Sequence, residues 1–142
     1  MGFASIFMGA WRKAQADVRR AERINASVAA FNARWQKLNA IRGDIVERFV
    51  KPLIEQPLTA NELQQLNHDL EEVNGWGTAI AENINSATPG HLSRYATCIK
   101  RLVLRSLKLC QKYNVYANIT SVEFTTYNKM VVLNGENLYC FD

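Results

Sequence analysis

The sequence predicts a mainly α-helical α+β protein, an antiparallel helical hairpin and a third amphipathic helix followed by a small antiparallel β-meander. Three observations carry that expectation. Apolar residues recur at steps of three and four over most of residues 24–113. Proline and capping signals near residues 52–59 and 88–90 cut that pattern into separate helices. From Val115 onward the composition turns β-branched and aromatic, with an Asn-Gly pair between the last two runs. The 142 residues are expected to form one domain, 1–142, long enough to bury a core without metal or disulfide staples.

Residues 1–51 read as a long basic helical segment. Ile24, Val28, Phe31, Trp35, Leu38, Ile41, Ile45 and Phe49 form a sustained stripe along its second half. Asp44 with Glu47 has capping-box form, so a break near Gly43 is expected. The helix should end at Lys51, because a residue before proline is pushed out of the α region. Residues 60–85 read as an acidic helix opened by a Thr59/Glu62 capping box. Leu63, Leu66, Leu70, Val73, Ile80 and Ile84 make a heptad seam, with Gly77 at the missing position. Gly75 and Gly77 each cost roughly 1 kcal/mol relative to alanine, which predicts a kink. This coiled-coil-like seam and the first segment are expected to face each other as the hairpin.

Residues 89–113 read as a basic amphipathic helix, with Thr88 as its cap and Pro89 in its first turn. Its apolar half carries Leu92, Tyr95, Cys98, Ile99, Leu102, Val103, Leu107, Leu109, Cys110 and Tyr113. Residues 115–142 read as a β-meander with strands at Val115–Ile119, Val122–Tyr127, Met130–Leu133 and Leu138–Phe141. Asn134-Gly135 suits a two-residue type I′ turn, which needs positive φ at both positions.

Charge is arranged in blocks. Residues 1–51 carry ten Lys/Arg and four acids, residues 52–89 six acids and no Lys or Arg, and residues 90–142 seven bases and three acids. The net charge of +4 therefore points less to an anionic partner than to an acidic helix packed beside basic ones. Cys98, Cys110 and Cys140 have no CxxC spacing and read as reduced, buried thiols, which predicts a cytoplasmic protein. No apolar run approaches the roughly 18 residues a membrane-spanning helix needs.

Catalytic templates do not fit: there is no Walker loop, GxGxxG, GxSxG or HExxH. His68 and Glu72 lie one helical turn apart without a third ligand, and read as an ion pair rather than a metal site. The expectation is no catalytic residue, no metal and no cofactor.

Two surfaces remain. On a helical wheel Phe3, Ile6, Phe7 and Trp11 join Ala10, Ala14, Val18 and Ala21 on one side, opposite Arg12, Lys13, Arg19, Arg20 and Arg23. That pattern suits a helix docked on a core or on a partner, and it also suits an interfacial helix on anionic lipid. Internal docking is the expectation, because Asp17 and Glu22 flank the apolar face. On the third helix Arg94, Arg101, Arg105, Lys108 and Lys112 form a stripe that could track the phosphates of a nucleic acid or pair with the acidic helix. The second reading is favoured, since no aromatic residue interleaves with the stripe. The expected function is non-catalytic binding of another macromolecule, a protein partner or a second copy of the chain. The last strand offers a free edge for such pairing. The alternatives are a nucleic acid at the stripe or peripheral attachment to a membrane through residues 3–23.

Overall fold

A computed structural model describes residues 3–115, 119–125 and 129–141, with side chains described from Met8 onward. The chain is mainly α-helical α+β. It runs α1 (Phe3–Ile45), a π-helical turn (Val46–Val50), α2 (Lys51–Ile54), α3 (Ala60–Glu82), α4 (Pro89–Tyr113), then strands β1 (Val122–Phe124), β2 (Met130–Leu133) and β3 (Glu136–Cys140). It separates into two compact units, Met1–Ala33 and Arg34–Asp142. The described residues of the first, from Phe3, are helix alone. The second, here called the body, holds the last turns of α1 and everything after them.

Helix starts follow the capping signals. Thr59 Oγ1 accepts the Glu62 N–H at 3.1 Å while the Glu62 carboxylate accepts the Thr59 N–H at 2.9 Å, a complete capping box. Thr88 does the same for α4 with histidine in the third position: His91 Nδ1 accepts the Thr88 N–H at 2.9 Å.

The expected breaks behave differently. Helix α1 runs through Gly43 without interruption. Pro52 does not stop the helix either, and the chain stays helical to Ile54. A proline in a continuing helix clashes with the carbonyl four residues back. The π turn just before it widens the ladder, so that the Lys51 N–H reaches the Val46 carbonyl. Lys51 itself keeps α geometry, at φ −58° and ψ −47°. Helix α3 likewise passes through Gly75 and Gly77 unbroken. Gly77 serves a close approach: a Cβ there would lie 3.3 Å from the Tyr95 hydroxyl and 3.4 Å from Arg42. The gap in the predicted seam is where the Tyr95 ring sits, its centroid 5.4 Å from that of Trp35 and its hydroxyl donating to Asn39 at 2.8 Å.

The hairpin is formed by α3 and α4, whereas the sequence pairs the first segment with the acidic helix. Glu62 meets Lys112, Asp69 meets Arg105 and Glu72 meets Arg101, so residue numbers fall on one helix as they rise on the other. The antiparallel order follows from the short connection between them. The buried edge of α3 is Leu66, Asp69, Val73, Gly77 and Ile80. The seam drawn from leucines alone is therefore displaced: Leu63 and Ile84 are exposed and Leu70 is half-buried. Helix α4 supplies the largest share of the core, with Leu92, Tyr95, Ile99, Leu102, Val103, Leu107 and Cys110 among its buried residues. Leu38, Ile45, Phe49, Val50 and Leu53 close it from the first helical segment.

The three strands form an antiparallel sheet in the order β1-β2-β3. Asn134 and Gly135 take φ +52° and +80°, as the hairpin turn requires. The Asn134 carboxamide oxygen also accepts the N–H groups of Thr120 and Ser121, at 2.6 and 3.2 Å, clamping the turn to the approach of β1. A register shift between Val131 and Val132 leaves Leu138 as the extra residue of a bulge in β3. Val131, Tyr139 and Phe141 are buried, and the Tyr139 hydroxyl donates to the Asp44 carboxylate on α1. Of the expected strand Val115–Ile119, the two ends are not strand and residues 116–118 lie outside the described residues, as do Thr126, Tyr127 and Asn128.

Candidate functional site

Both basic surfaces that the sequence singles out are helical, and their surroundings differ. On α4 the cations meet acids of α3. Arg101 reaches Glu72 at 2.8 Å, Lys112 reaches Glu62 at 2.7 Å, and Arg105 binds Asp69 through Nε and Gln65 through Nη1 at 2.6 Å. Arg94 lies over the Trp76 ring, 5.8 Å from its centroid, and Lys108 is exposed. Asp69 is only 2% exposed, so its pair with Arg105 bonds the hairpin from within. An acid that the sequence reading counts only within the acidic block is thus part of the core. Glu72 also holds His68 at 3.2 Å, in the turn-to-turn pairing that the spacing suggests.

Glu62 is the densest node. It caps α3, binds Lys112 and accepts the Tyr113 hydroxyl. Lys112 first, then Tyr113 and the Thr59 N–H, hold its carboxyl down at about 2. The same bonds raise Lys112 and Tyr113. The cysteines are free. Burial pushes the Cys110 thiol up to about 11 and raises Cys98, so both stay protonated thiols rather than nucleophilic thiolates. Among the described residues no cluster of His, Cys, Asp or Glu could hold a metal ion, and no helix is long and apolar enough to cross a membrane.

The first unit is the opposite case. From Met8 to Ala33 every side chain is exposed except those of Gln15 and Phe31, which are half-buried. Trp11 is 50% exposed, Val18 56%, Ile24 57% and Val28 53%. Arg12, Lys13, Arg19, Arg20 and Arg23 are exposed as well. The side chains of Phe3, Ile6 and Phe7 lie outside those described. Internal docking of the apolar stripe, the sequence expectation, has no counterpart within this unit, because one helix cannot cover its own face. Trp11, Ala14, Gln15, Val18, Arg19 and Glu22 border a shallow hollow on it, where Ala14 is the small residue.

The chain matches no protein-family model, no curated protein and no solved structure.

One feature of the body escapes sequence reasoning. At the turn of the α3–α4 hairpin, Trp76, Ala79, Ile80, Asn83, Ser86, Ala87 and His91 line a cleft of about 290 Å³. The Trp76 ring lies near His91, 6.3 Å away by centroids, and near the Arg94 guanidinium. Because His91 Nδ1 accepts the Thr88 N–H, its neutral ring carries the proton on Nε2. The cleft's polar groups serve the turn: the Asn83 amide donates to the Ala79 carbonyl and the Ser86 hydroxyl to the Asn83 carbonyl. Capping therefore accounts for them. The available signal was Trp76, which lies between Gly75 and Gly77, and only those two glycines enter the sequence expectation.

Proposed function

We propose that this protein is a non-catalytic binding protein, in which the first unit is the contact surface and the body is its support. The observation that carries the reading is the apolar stripe of Trp11, Val18 and Val28, left exposed on a helix with no packing of its own. Isolated helices draw most of their stability from packing one face, so such a stripe calls for a macromolecular partner. The pairing of Arg101, Arg105 and Lys112 with acids of α3 leaves α4 a poor phosphate surface, which argues against nucleic acid there. The thiols of Cys98 and Cys110, buried and held protonated, support a role without nucleophilic chemistry.

The test is a photo-crosslinking amino acid placed at Val18 and, separately, at Lys108 in the full chain expressed in its native host. Adducts at position 18 and none at 108 are the expected result. Adducts confined to position 108 would move the contact surface to α4 and overturn the reading.

A further inference from the structure

The stripe of the first unit has the residues and the charge order to pair with itself. Resting on the reading above, we propose that two copies of this chain associate through an antiparallel coiled coil of residues 8–31. Trp11, Val18 and Asn25 occupy one set of heptad positions (a), and Ala14, Ala21 and Val28 the other (d), all within about 100° of the helix surface. All six are exposed. Asp17 and Glu22 border the stripe on opposite sides, and the cations lie outside them.

Charge selects the orientation. In a parallel pair, positions g and e′ five residues apart face each other, which sets Asp17 of one copy against Glu22 of the other, twice. In an antiparallel pair each side faces its own counterpart. With residues opposed when their numbers sum to 39, the level of Asp17 lies two residues from Arg20 of the second copy. Glu22 lies two residues from its Arg19, an axial offset of about 3 Å. Those four attractions replace two repulsions, and a two-fold interface requires this kind of self-complementarity. The seam agrees in size: Trp11 opposes Val28, Val18 opposes Ala21, and Asn25 enters the hollow around Ala14 bordered by Trp11, Gln15 and Val18. In that hollow the Asn25 amide comes beside the bordering Gln15, a polar partner that a lipid surface would not supply.

Sedimentation of the purified full chain over a concentration series tests the proposal, together with charge-swapped variants. The wild type should form a dimer. Asp17→Arg with Glu22→Arg, and separately Arg19→Glu with Arg20→Glu, should each weaken it about tenfold or more. Mixing the two variants should restore association as a heterodimer, a result that unfolding cannot produce. A wild type monomeric at every concentration, or a mixture that stays monomeric, overturns the proposal. So does a monomer that pellets with phosphatidylserine vesicles, which assigns the stripe to lipid. Crosslinks from position 18 only to other proteins, with the purified chain monomeric, overturn the dimer and leave the binding reading standing. Absence of any adduct at position 18 would remove both.

Discussion

Residues 94–112 and residues 12–23 carry the same elementary pattern, a basic stripe beside an apolar one on a helix, and they come to opposite ends. On α4 the apolar side is the centre of the core, and Arg101, Arg105 and Lys112 bind acids of the neighbouring helix. In the first unit the apolar side is open and the cations face water. Amphipathicity alone does not say whether a helix is scaffold or surface. What separates the two is the acidic segment 52–89, whose connection to α4 folds it back on that helix. Residues 12–23 have no such partner inside their unit.

The sharpest way to break this contrast is to make one substitution on both stripes. Arg105→Gln strands the Asp69 carboxylate, 2% exposed, without its cation. Removing one partner of a buried pair costs about 3–5 kcal/mol, which chemical denaturation should register in full. Arg19→Gln should change the stability of the body by less than about 0.5 kcal/mol. Equal effects would show that the two stripes have the same environment. The apolar positions give a parallel test. Leu102→Ala, at a fully buried site, should cost about 2–5 kcal/mol, whereas Val18→Ala, 56% exposed, should cost under about 0.5 kcal/mol.

Acid titration distinguishes the stripes by a different route. The bonds to Glu62 keep its carboxyl at about 2 in the folded chain, against an ordinary 4.5. Between those values the unfolded chain takes up the proton first, so this contribution, complete above about pH 4.5, disappears as the pH falls towards 2. Glu62→Gln should therefore be less stable than wild type at neutral pH, and the gap should narrow across that window. A gap independent of pH would mean that the Lys112 and Tyr113 bonds do not favour the charged form.

How much of this was legible in the sequence depends on the distance between the residues involved. The caps at Thr59 and Thr88 and the Asn134-Gly135 turn are local, each decided within four residues, and they were read correctly. Gly77 was legible as a gap but not as the seat of Tyr95, eighteen positions further on. The Pro52 stop failed because a π turn, unforeseen from the residues, lets the ladder step past the proline. Asp69 sits three residues after Leu66, on the seam itself. A count of charges hid it, because only the three-dimensional pairing with Arg105 makes an aspartate tolerable there. The basic stripe of α4 was read correctly as a partner for the acidic helix. For the first unit the sequence stops at the stripe itself, since an apolar face gives no sign of which surface covers it.

The smallest expected effect is the most selective between the surfaces that could cover it. Arg12 and Arg23 are exposed on the side of the helix away from Trp11, Val18 and Val28. In an antiparallel coiled coil neither approaches Asp17 or Glu22 of the second copy as closely as Arg19 and Arg20 do. Replacing both by Gln keeps helix propensity nearly constant. Stability should move by less than about 0.5 kcal/mol, and the dimer measured by sedimentation should be unchanged. On an anionic membrane the same two cations would each contribute about 1 kcal/mol through the surface potential, whatever the helix's neighbours. Vesicle binding would then weaken by roughly thirtyfold for the pair. An intact dimer in the double variant keeps the stripe as a protein seam, whereas a dimer lost with these two charges would show that the pairing geometry drawn from Asp17 and Glu22 is wrong.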